Sequence, residues 1–207
     1  MRDQSERQRN GERIHGRDAV ITLLAYARMP DGKVSLSDDF LMAFYERARR
    51  DGIVQAVWGD KVQFPEQFVA FMSAAIADPP AILPIFAFEG MEAVGLAWLA
   101  DVGPVNAFAH FVMLKSTWGR TSQQIAREIL AHWFSWQHPD GRPLLRVIIG
   151  STPADNVPAI GFIRRLGFTI VGEIPHLIDG KRAAVISYLS GDDFKADDHV
   201  EPDRLAS

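Results

Sequence analysis

The segment 155–168, Asp-Asn-Val-Pro-Ala-Ile-Gly-Phe-Ile-Arg-Arg-Leu-Gly-Phe, encodes a short helix whose beginning and end are both marked. Asn156 is a favoured N-cap, because its side-chain oxygen can accept a hydrogen bond from a backbone N–H of the first turn. Gly167 can take the left-handed conformation that ends a helix, and Phe168 can then fold back onto the apolar face. That face has helical spacing and comprises Ala159, Phe162, Ile163 and Leu166.

The other elements follow from apolar spacing and turn signals on either side of this helix. Strands are predicted over 19–27, 82–88, 93–100, 107–114, 144–149, 169–178 and 182–189, with hairpin turns at 89–92 and 179–180. Helices are predicted over 36–50, 65–77 and 121–136. Thr121 and Gln124 have the spacing of a capping box, and Pro79-Pro80 is expected to stop the second helix.

This element order predicts the fold class. The strand–helix–strand unit over 107–149 requires a parallel strand pair, whereas the hairpins are antiparallel. We therefore expect an α/β (α+β) fold with a mixed, mostly antiparallel sheet, a central parallel βαβ unit and helices on both faces.

Composition limits the classes of function. The chain has 207 residues, 47% of them hydrophobic, no cysteine and a net charge of −4. These values predict one domain over 18–190 without disulfides, and the negative charge argues against a nucleic-acid partner. No apolar run is long enough to span a membrane, and residues 1–16 lack the apolar segment of a secretory signal, so we expect a cytoplasmic protein with no membrane partner. Residues 1–17 and the acidic 191–207 contain too few apolar side chains to offset their ordering entropy. We interpret both as flexible tails, although the acidic one could instead contact a partner.

The pattern Asn-x-x-Ala-x-x-Phe-x-x-x-x-Gly-Phe, from Asn156 to Phe168, resembles the last conserved block of the GNAT superfamily, the acyl-CoA-dependent N-acyltransferases. The order of elements over 18–190 is similar to the GNAT fold as well. The resemblance implies acetyl-CoA as cosubstrate and an amine acceptor, either a small molecule or a protein, and it admits a homodimer. One position departs from the family: many members have a tyrosine that protonates the CoA thiolate where this chain has Ile163.

The segment 115–122, Lys-Ser-Thr-Trp-Gly-Arg-Thr-Ser, joins a predicted strand to a predicted helix N-terminus. Helix N-termini bind anions through unpaired N–H groups, and a glycine lets a phosphate approach the backbone. The resemblance implies that this loop holds the CoA pyrophosphate, although only one glycine of the family pattern remains. The alternative is an ordinary strand-to-helix loop. The cofactor-binding residues that we predict are Met113, Leu114, Lys115, Trp118, Gly119, Arg120, Thr121, Ser122, Asn156 and Phe162.

Two of these residues have open alternatives. Asn156 could serve only as a cap, or it could also hydrogen-bond the pantetheine arm, as the equivalent residue often does in the family. Trp118 could cover the cofactor or close its loop onto the core. The resemblance further implies that a backbone N–H of the strand ending at Leu114 polarises the thioester carbonyl.

N-acyl transfer needs a neutral amine, a polarised carbonyl and a protonated leaving group. Candidate bases are His110, in an otherwise apolar strand, and Glu89 or Glu92 on the first hairpin. Tyr188 is the candidate acid in place of Ile163. Structural roles are the alternatives for His110 and Tyr188. No metal site is predicted, because the histidine spacing and the absence of cysteine fit none.

Two functions remain open from the sequence alone. The first is an N-acetyltransferase that transfers the acetyl group directly to a primary amine. The second is a catalytically silent GNAT-fold binding or structural protein, with phage proteins as a comparison around the Trp-Gly loop. Gly119, its basic flanks and Asn156 favour the first function, whereas Ile163 and the reduced loop favour the second.

Overall fold

A computed structural model describes residues 20–77, 81–178 and 180–194. Its strands are β1 (Ile21–Ala25), β2 (Ile82–Glu89), β3 (Glu92–Ala100), β4 (Asn106–Met113), β5 (Val147–Pro153), β6 (Thr169–Ile178) and β7 (Arg182–Ser190). Its α-helices are α1 (Asp38–Arg50), α2 (Val54–Trp58), α3 (Pro65–Ala75), α4 (Arg120–Phe134) and α5 (Val157–Arg165), with 3-10 turns at Gly59–Lys61 and Lys115–Thr117. The tail 1–17, most of the acidic tail, Pro79-Pro80 and the turn residue Asp179 lie outside the described residues.

The strands form one sheet in the order β1-β2-β3-β4-β5-β7-β6. The β4–β5 pair is parallel and the other pairs are antiparallel. Helix α4 connects the two parallel strands, as the βαβ prediction requires. The predicted fold class is therefore confirmed, including its mostly antiparallel sheet.

Helices cover both faces of the sheet and divide the core into two clusters. On the first face, α1, α2 and α3 pack onto the sheet through buried residues that include Phe44, Tyr45 and Phe68. On the second face, α4 and α5 do so through residues that include Ile125 and Leu166. The alternation of side chains along each strand decides to which face a residue belongs.

Helix α5 has the predicted termini. The Asn156 side chain accepts a hydrogen bond from the Ala159 N–H at 3.2 Å, and Gly167 has φ +92°. The Phe168 N–H donates to the Ile163 carbonyl at 3.1 Å, which closes the helix with a Schellman arrangement. Phe168 is buried in the second-face core. Local signals were sufficient here because the cap, the left-handed glycine and the returning aromatic all lie within one short segment.

Two sequence predictions about these elements were wrong in detail, and one helix was not predicted. Helix α4 begins at Arg120 with Gly119 as its N-cap, so the expected capping box does not form and Gln124 instead donates to Glu128. Strand β5 covers Val147–Pro153 rather than 144–149, because its polar end pairs with β7, while Leu145, which precedes the strand, packs in the second-face core. Helix α2 and the 3-10 turn after it were not expected, since five residues give too little periodicity.

Candidate active site

A cleft opens where β4 and β5 separate. Their register begins at Asn106↔Val147 and ends at Phe108↔Ile149. Beyond this point β4 continues to Met113, whereas β5 continues to Pro153 in contact with β7 alone. The carboxyl-terminal part of β4 therefore presents an unpaired edge. Ligands of open α/β sheets commonly bind at such carboxyl-end openings.

The hydrogen bonds of β4 decide which backbone groups face this cleft. The Leu114 N–H donates to the Val94 carbonyl of β3 at 3.1 Å. Because hydrogen bonding alternates along an antiparallel strand, the N–H groups of Phe111 and Met113 point away from β3, towards the cleft. The Leu114 N–H is therefore used within the sheet. The N–H groups that could polarise the carbonyl of a ligand in the cleft are those of Phe111 and Met113. The sequence did not indicate Phe111, because its side chain is apolar and its contribution comes from a backbone N–H, whose direction depends on strand pairing.

The loop after β4 is folded against the strand end. The Thr117 hydroxyl donates to the Leu114 carbonyl at 2.8 Å, and the Trp118 indole N–H donates to the Met113 carbonyl at 2.9 Å. The Lys115 ammonium lies 5.7 Å from the centre of the Trp118 ring. The Met113 carbonyl is on the cleft edge, so the exposed Trp118 indole stands at the cleft mouth.

The beginning of helix α4 is open to an anion. Gly119 has φ +105°, and none of the described residues lies within 4 Å of the position that its Cβ would occupy. No side chain of the described part of the chain caps the helix, so the N–H groups of its first turn are available there. The exposed Lys115 and Arg120 add positive charge, while Thr121 is half-buried and Ser122 donates to the Gly119 carbonyl at 2.8 Å. This arrangement fits a phosphate.

Helix α1 contacts the same loop from the first face. The Asp51 carboxylate accepts a hydrogen bond from the Lys115 N–H at 2.7 Å. A cavity of about 200 Å³ adjoins the loop and is lined by Arg47, Arg50, Asp51 and Ser116. Arg47 pairs with Glu92 at 2.8 Å, so this candidate base is already committed to an ion pair.

The other wall of the cleft is the segment from β5 to α5. The Asn156 Oδ1 is used by the cap, which leaves its Nδ2 group without a partner among the described residues. Phe162 is half-buried, and its ring meets that of Phe111 edge-on with centroids 6.3 Å apart. Ile163, at the position of the family tyrosine, is buried in the second-face core.

His110 lies on the first face, two residues after the last residue of β4 that pairs with β5. Its ring stacks on Trp98 at 4.9 Å, and Trp98 stacks on Trp58 at 6.3 Å. Burial lowers the pKa of His110 below its ordinary value, and the charge of Asp101 opposes this only in part. The imidazole is therefore neutral near pH 7 and could accept a proton.

The remaining candidates lie apart from His110. Glu89 is exposed at the end of β2, two strands away from β4, and pairs with Ile21 and Glu92. Tyr188 lies on β7 opposite Ile149, and 38% of its surface is exposed. Strand β5 stands between Tyr188 and the cleft. The structure thus brings together His110, the β4 edge, the loop and Asn156, but not Glu89 or Tyr188.

No protein-family model and no curated protein matches the chain. Solved structures do. The ribosomal L7/L12 α-N-protein acetyltransferase RimL in complex with coenzyme A is 15% identical, with a TM-score of 0.64 over 83% of this chain and 96% of that chain. The spermidine N-acetyltransferase of Vibrio cholerae with CoA and spermine is 14% identical, with a TM-score of 0.63 over 84% and 96% of the two chains. This chain has the GNAT fold.

The likeness extends to a third GNAT-fold structure, the microcin C7 self-immunity acetyltransferase MccE with acetyl-CoA and AMP. It is 15% identical, with a TM-score of 0.63 over 82% of this chain and 92% of that chain. Among the described residues of the GNAT-fold chain, no helix has the length and apolar content to cross a membrane. The same residues contain no cluster of side chains suited to a metal ion.

Proposed function

We propose that this protein is an N-acetyltransferase that transfers an acetyl group directly from acetyl-CoA to a primary amine. The observation that carries the proposal is the cleft, whose unpaired β4 edge ends beside the uncapped beginning of α4. The β4 edge suits the amide-bearing pantetheine arm, and the beginning of α4 suits a phosphate. Three GNAT-fold acetyltransferases with CoA or acetyl-CoA bound support the choice of cosubstrate.

The residues of the cleft fit acetyl-CoA in two parts. The first-turn N–H groups of α4, together with Lys115 and Arg120, would hold the pyrophosphate. The Asn156 Nδ2 group and the β4 edge would hydrogen-bond the pantetheine amides, because an amide arm along a strand edge can satisfy unpaired N–H and C=O groups. The Trp118 indole N–H donates a hydrogen bond to the Met113 carbonyl in this structure. When the pantetheine arm binds, this hydrogen bond must break, or the indole must pack beside the arm.

The same geometry supports a direct transfer. The N–H groups of Phe111 and Met113 would donate to the thioester oxygen and stabilise the charge that develops there. Neutral His110 would take the proton of the attacking amine. The nitrogen–carbon bond forms, the carbon–sulfur bond breaks, and the thiolate leaves with the electron pair.

The acceptor, the assembly and the location are also part of this proposal. The acceptor is a small-molecule or protein amine, by comparison with the spermidine and ribosomal-protein acetyltransferases. A homodimer is supported by edge strand β6, on which Val171, Ile174 and Leu177 are exposed, and sedimentation tests it. A cytoplasmic protein is consistent with the absence of a membrane-spanning helix from the described residues.

A silent binding protein is the second candidate, and it has specific support. Ile163 has no proton to give, and Trp118 hydrogen-bonds the cleft edge to which a cosubstrate would bind. Calorimetric titration with acetyl-CoA tests the first candidate. CoA release is then measured with spermidine and with a peptide bearing a free N-terminus. Binding with transfer to either amine supports the enzyme, and binding without transfer to either amine supports a silent binding protein. No binding at millimolar acetyl-CoA rejects the enzyme and leaves a structural protein.

A further inference from the structure

On its first face, the outer half of the sheet lies beyond the core that the helices form. The described strand residues of the first-face core belong to β2, β3 and β4, and none of them belongs to β5, β6 or β7. Beyond that core, Phe108, Ile149 and Ile186 are half-buried, and 38% of the Tyr188 surface is exposed. We call these four side chains the shelf. Exposed apolar side chains that stand together, rather than singly, indicate a binding surface.

Strand register brings the shelf residues together. Phe108 is opposite Ile149, and Ile149 is opposite Tyr188, so the three form one row across β4, β5 and β7. Because residues two apart in a strand share a face, Ile186 lies beside Tyr188. Neighbouring strands are about 4.8 Å apart, so the row is about 10 Å long. This length accommodates an aromatic ring on a short alkyl chain.

The shelf is continuous with the opening of the sheet. His110 and Ser151 each follow the last β4–β5 pair, Phe108↔Ile149, by two residues, and they share its face. They therefore flank the opening at the point where the two strands separate. Ser151 is half-buried and is opposite Ile186 of β7. An amine between His110 and Ser151 has its nitrogen at the cleft and the rest of its structure on the shelf.

The charges around the shelf suit an amine with one positive charge rather than several. Strands β4, β5 and β7 contain no Asp or Glu, and their basic side chains are His110 and Arg182. Glu173 of β6 lies on the other face of the sheet from the shelf. Asp101, the carboxylate whose charge acts on His110, follows the end of β3. A polyamine would need several carboxylates here, because placing unpaired charges on an apolar surface is costly.

We propose that the acceptor is a small amine with a single amino group on an aromatic body, which lies on the shelf with its nitrogen between His110 and Ser151. The inference rests on the proposed acetyl transfer and names its acceptor class. The aromatic body packs on Ile149, Ile186 and Tyr188, and ring contact with Tyr188 adds to the burial of apolar surface. Tyr188 is therefore a specificity-determining residue rather than a proton donor.

Selectivity between two amines tests the shelf. 2-Phenylethylamine has an aromatic ring and one amino group, whereas spermidine has several amino groups and no ring. With acetyl-CoA and the wild-type protein, kcat/KM for 2-phenylethylamine should exceed that for spermidine by about tenfold or more. A single methylene in an apolar site already changes kcat/KM by about 10–200-fold.

Three variants locate the preference on the shelf. In Tyr188→Ala the preference should fall about tenfold, because the ring loses its contact surface. In Tyr188→Phe it should persist, since the aromatic ring remains and only the hydroxyl is lost. Phe71→Ala is the matched control, because Phe71 is 37% exposed, as Tyr188 is 38%, but lies on α3. The control should keep the wild-type kcat/KM for both amines.

The outcomes separate this inference from the function on which it rests. Equal kcat/KM for the two amines in wild type, or an unchanged preference in Tyr188→Ala, overturns the acceptor class and leaves the acetyltransferase standing. A changed sedimentation coefficient in Tyr188→Ala with an unchanged preference assigns the shelf to a second copy of the chain and also overturns the inference.

The shelf is tested separately if the protein transfers acetyl to neither amine, a result that rejects the proposed function. Calorimetric titration with 2-phenylethylamine then decides the outcome. Binding that weakens in Tyr188→Ala and not in Phe71→Ala supports the shelf as an amine site. Absence of binding to the wild-type protein overturns it.

Discussion

Asn156 has two polar atoms with separate tasks, and a pair of substitutions can separate them. Its Oδ1 caps α5, and its Nδ2 has no partner among the described residues. We expect Asn156→Ala to lose about 1 kcal/mol of unfolding free energy with the cap. Asn156→Asp should keep the cap, because a carboxylate caps equally well, but it cannot donate to the pantetheine arm. Denaturant unfolding and calorimetric titration with acetyl-CoA measure the two effects. Equal affinities for Asn156→Asp and wild type would restrict Asn156 to capping.

Gly119 combines a conformational role with its position beside the proposed phosphate. A side chain at φ +105° is strained even in open space, so Gly119→Val should lose about 1–3 kcal/mol of stability. It should also weaken acetyl-CoA binding, because the side chain blocks approach to the backbone. Gly141→Val is the matched control, since Gly141 has φ +82° and open space away from the cleft. The control should lose stability alone. Equal losses of affinity in both variants would place the phosphate elsewhere.

His110 predicts a specific dependence on pH. Burial lowers its pKa in the folded protein below the ordinary 6.5, so the unfolded chain binds the proton first as pH falls. The unfolding free energy should therefore decline as pH drops below 6.5 towards the folded-state pKa, and this decline should be reduced in His110→Phe, which preserves the ring stack on Trp98. Acid unfolding curves of both proteins measure it. Superimposable curves would mean that the imidazole does not titrate as a buried group.

The same substitution tests catalysis. If the proposed transfer uses His110, His110→Phe should lower kcat/KM by about 10²–10⁴-fold, the usual contribution of a general base. The wild-type rate should fall on the acid side with an apparent pKa below 6.5. Acetyl-CoA affinity, measured by calorimetry, should change little. Wild-type activity in the variant would assign the base to another group.

At the scale of elements, the buried face of α5 makes it costly to restore the family tyrosine at position 163. Ile163 is 8% exposed and packs in the second-face core. Ile163→Tyr should therefore lose about 1–3 kcal/mol of stability from overpacking. If the new hydroxyl reaches the sulfur of bound CoA, turnover should rise, because the departing thiolate gains a proton donor. Steady-state kinetics of Ile163→Tyr and wild type with spermidine measure this, and an unchanged kcat would mean that a missing acid does not limit the reaction.

At the scale of the whole molecule, the cleft lies between the two halves of the sheet, so a bound ligand should stabilise the fold as a unit. Acetyl-CoA at one hundred times its dissociation constant should add about 2.7 kcal/mol to the unfolding free energy. Thermal unfolding with and without ligand measures the gain. Stabilisation of one half alone, seen by hydrogen exchange, would place the ligand outside the cleft.

Short-range signals in the sequence determined much of this architecture. The cap at Asn156, the left-handed Gly167 and the returning Phe168 specify α5. The hairpin signals specify the β2–β3 and β6–β7 pairs, and the βαβ unit specifies the single parallel pair. The helix ends and the hairpins depend on residues that are close together in the chain, and the parallel pair follows from the one helix that connects its two strands. For that reason a pattern of residue types was sufficient to predict them.

Tertiary structure alone decided the chemistry of the cleft. A bulge at Val94 leaves this residue of β3 without a partner in β2, and its carbonyl takes the Leu114 N–H. The cleft therefore receives the N–H groups of Phe111 and Met113. Register likewise places Tyr188 behind β5. Sequence pattern identifies which residues form strands, but hydrogen-bond direction depends on pairing between strands that are distant in the chain. The donors of the site could be known only once the sheet was assembled.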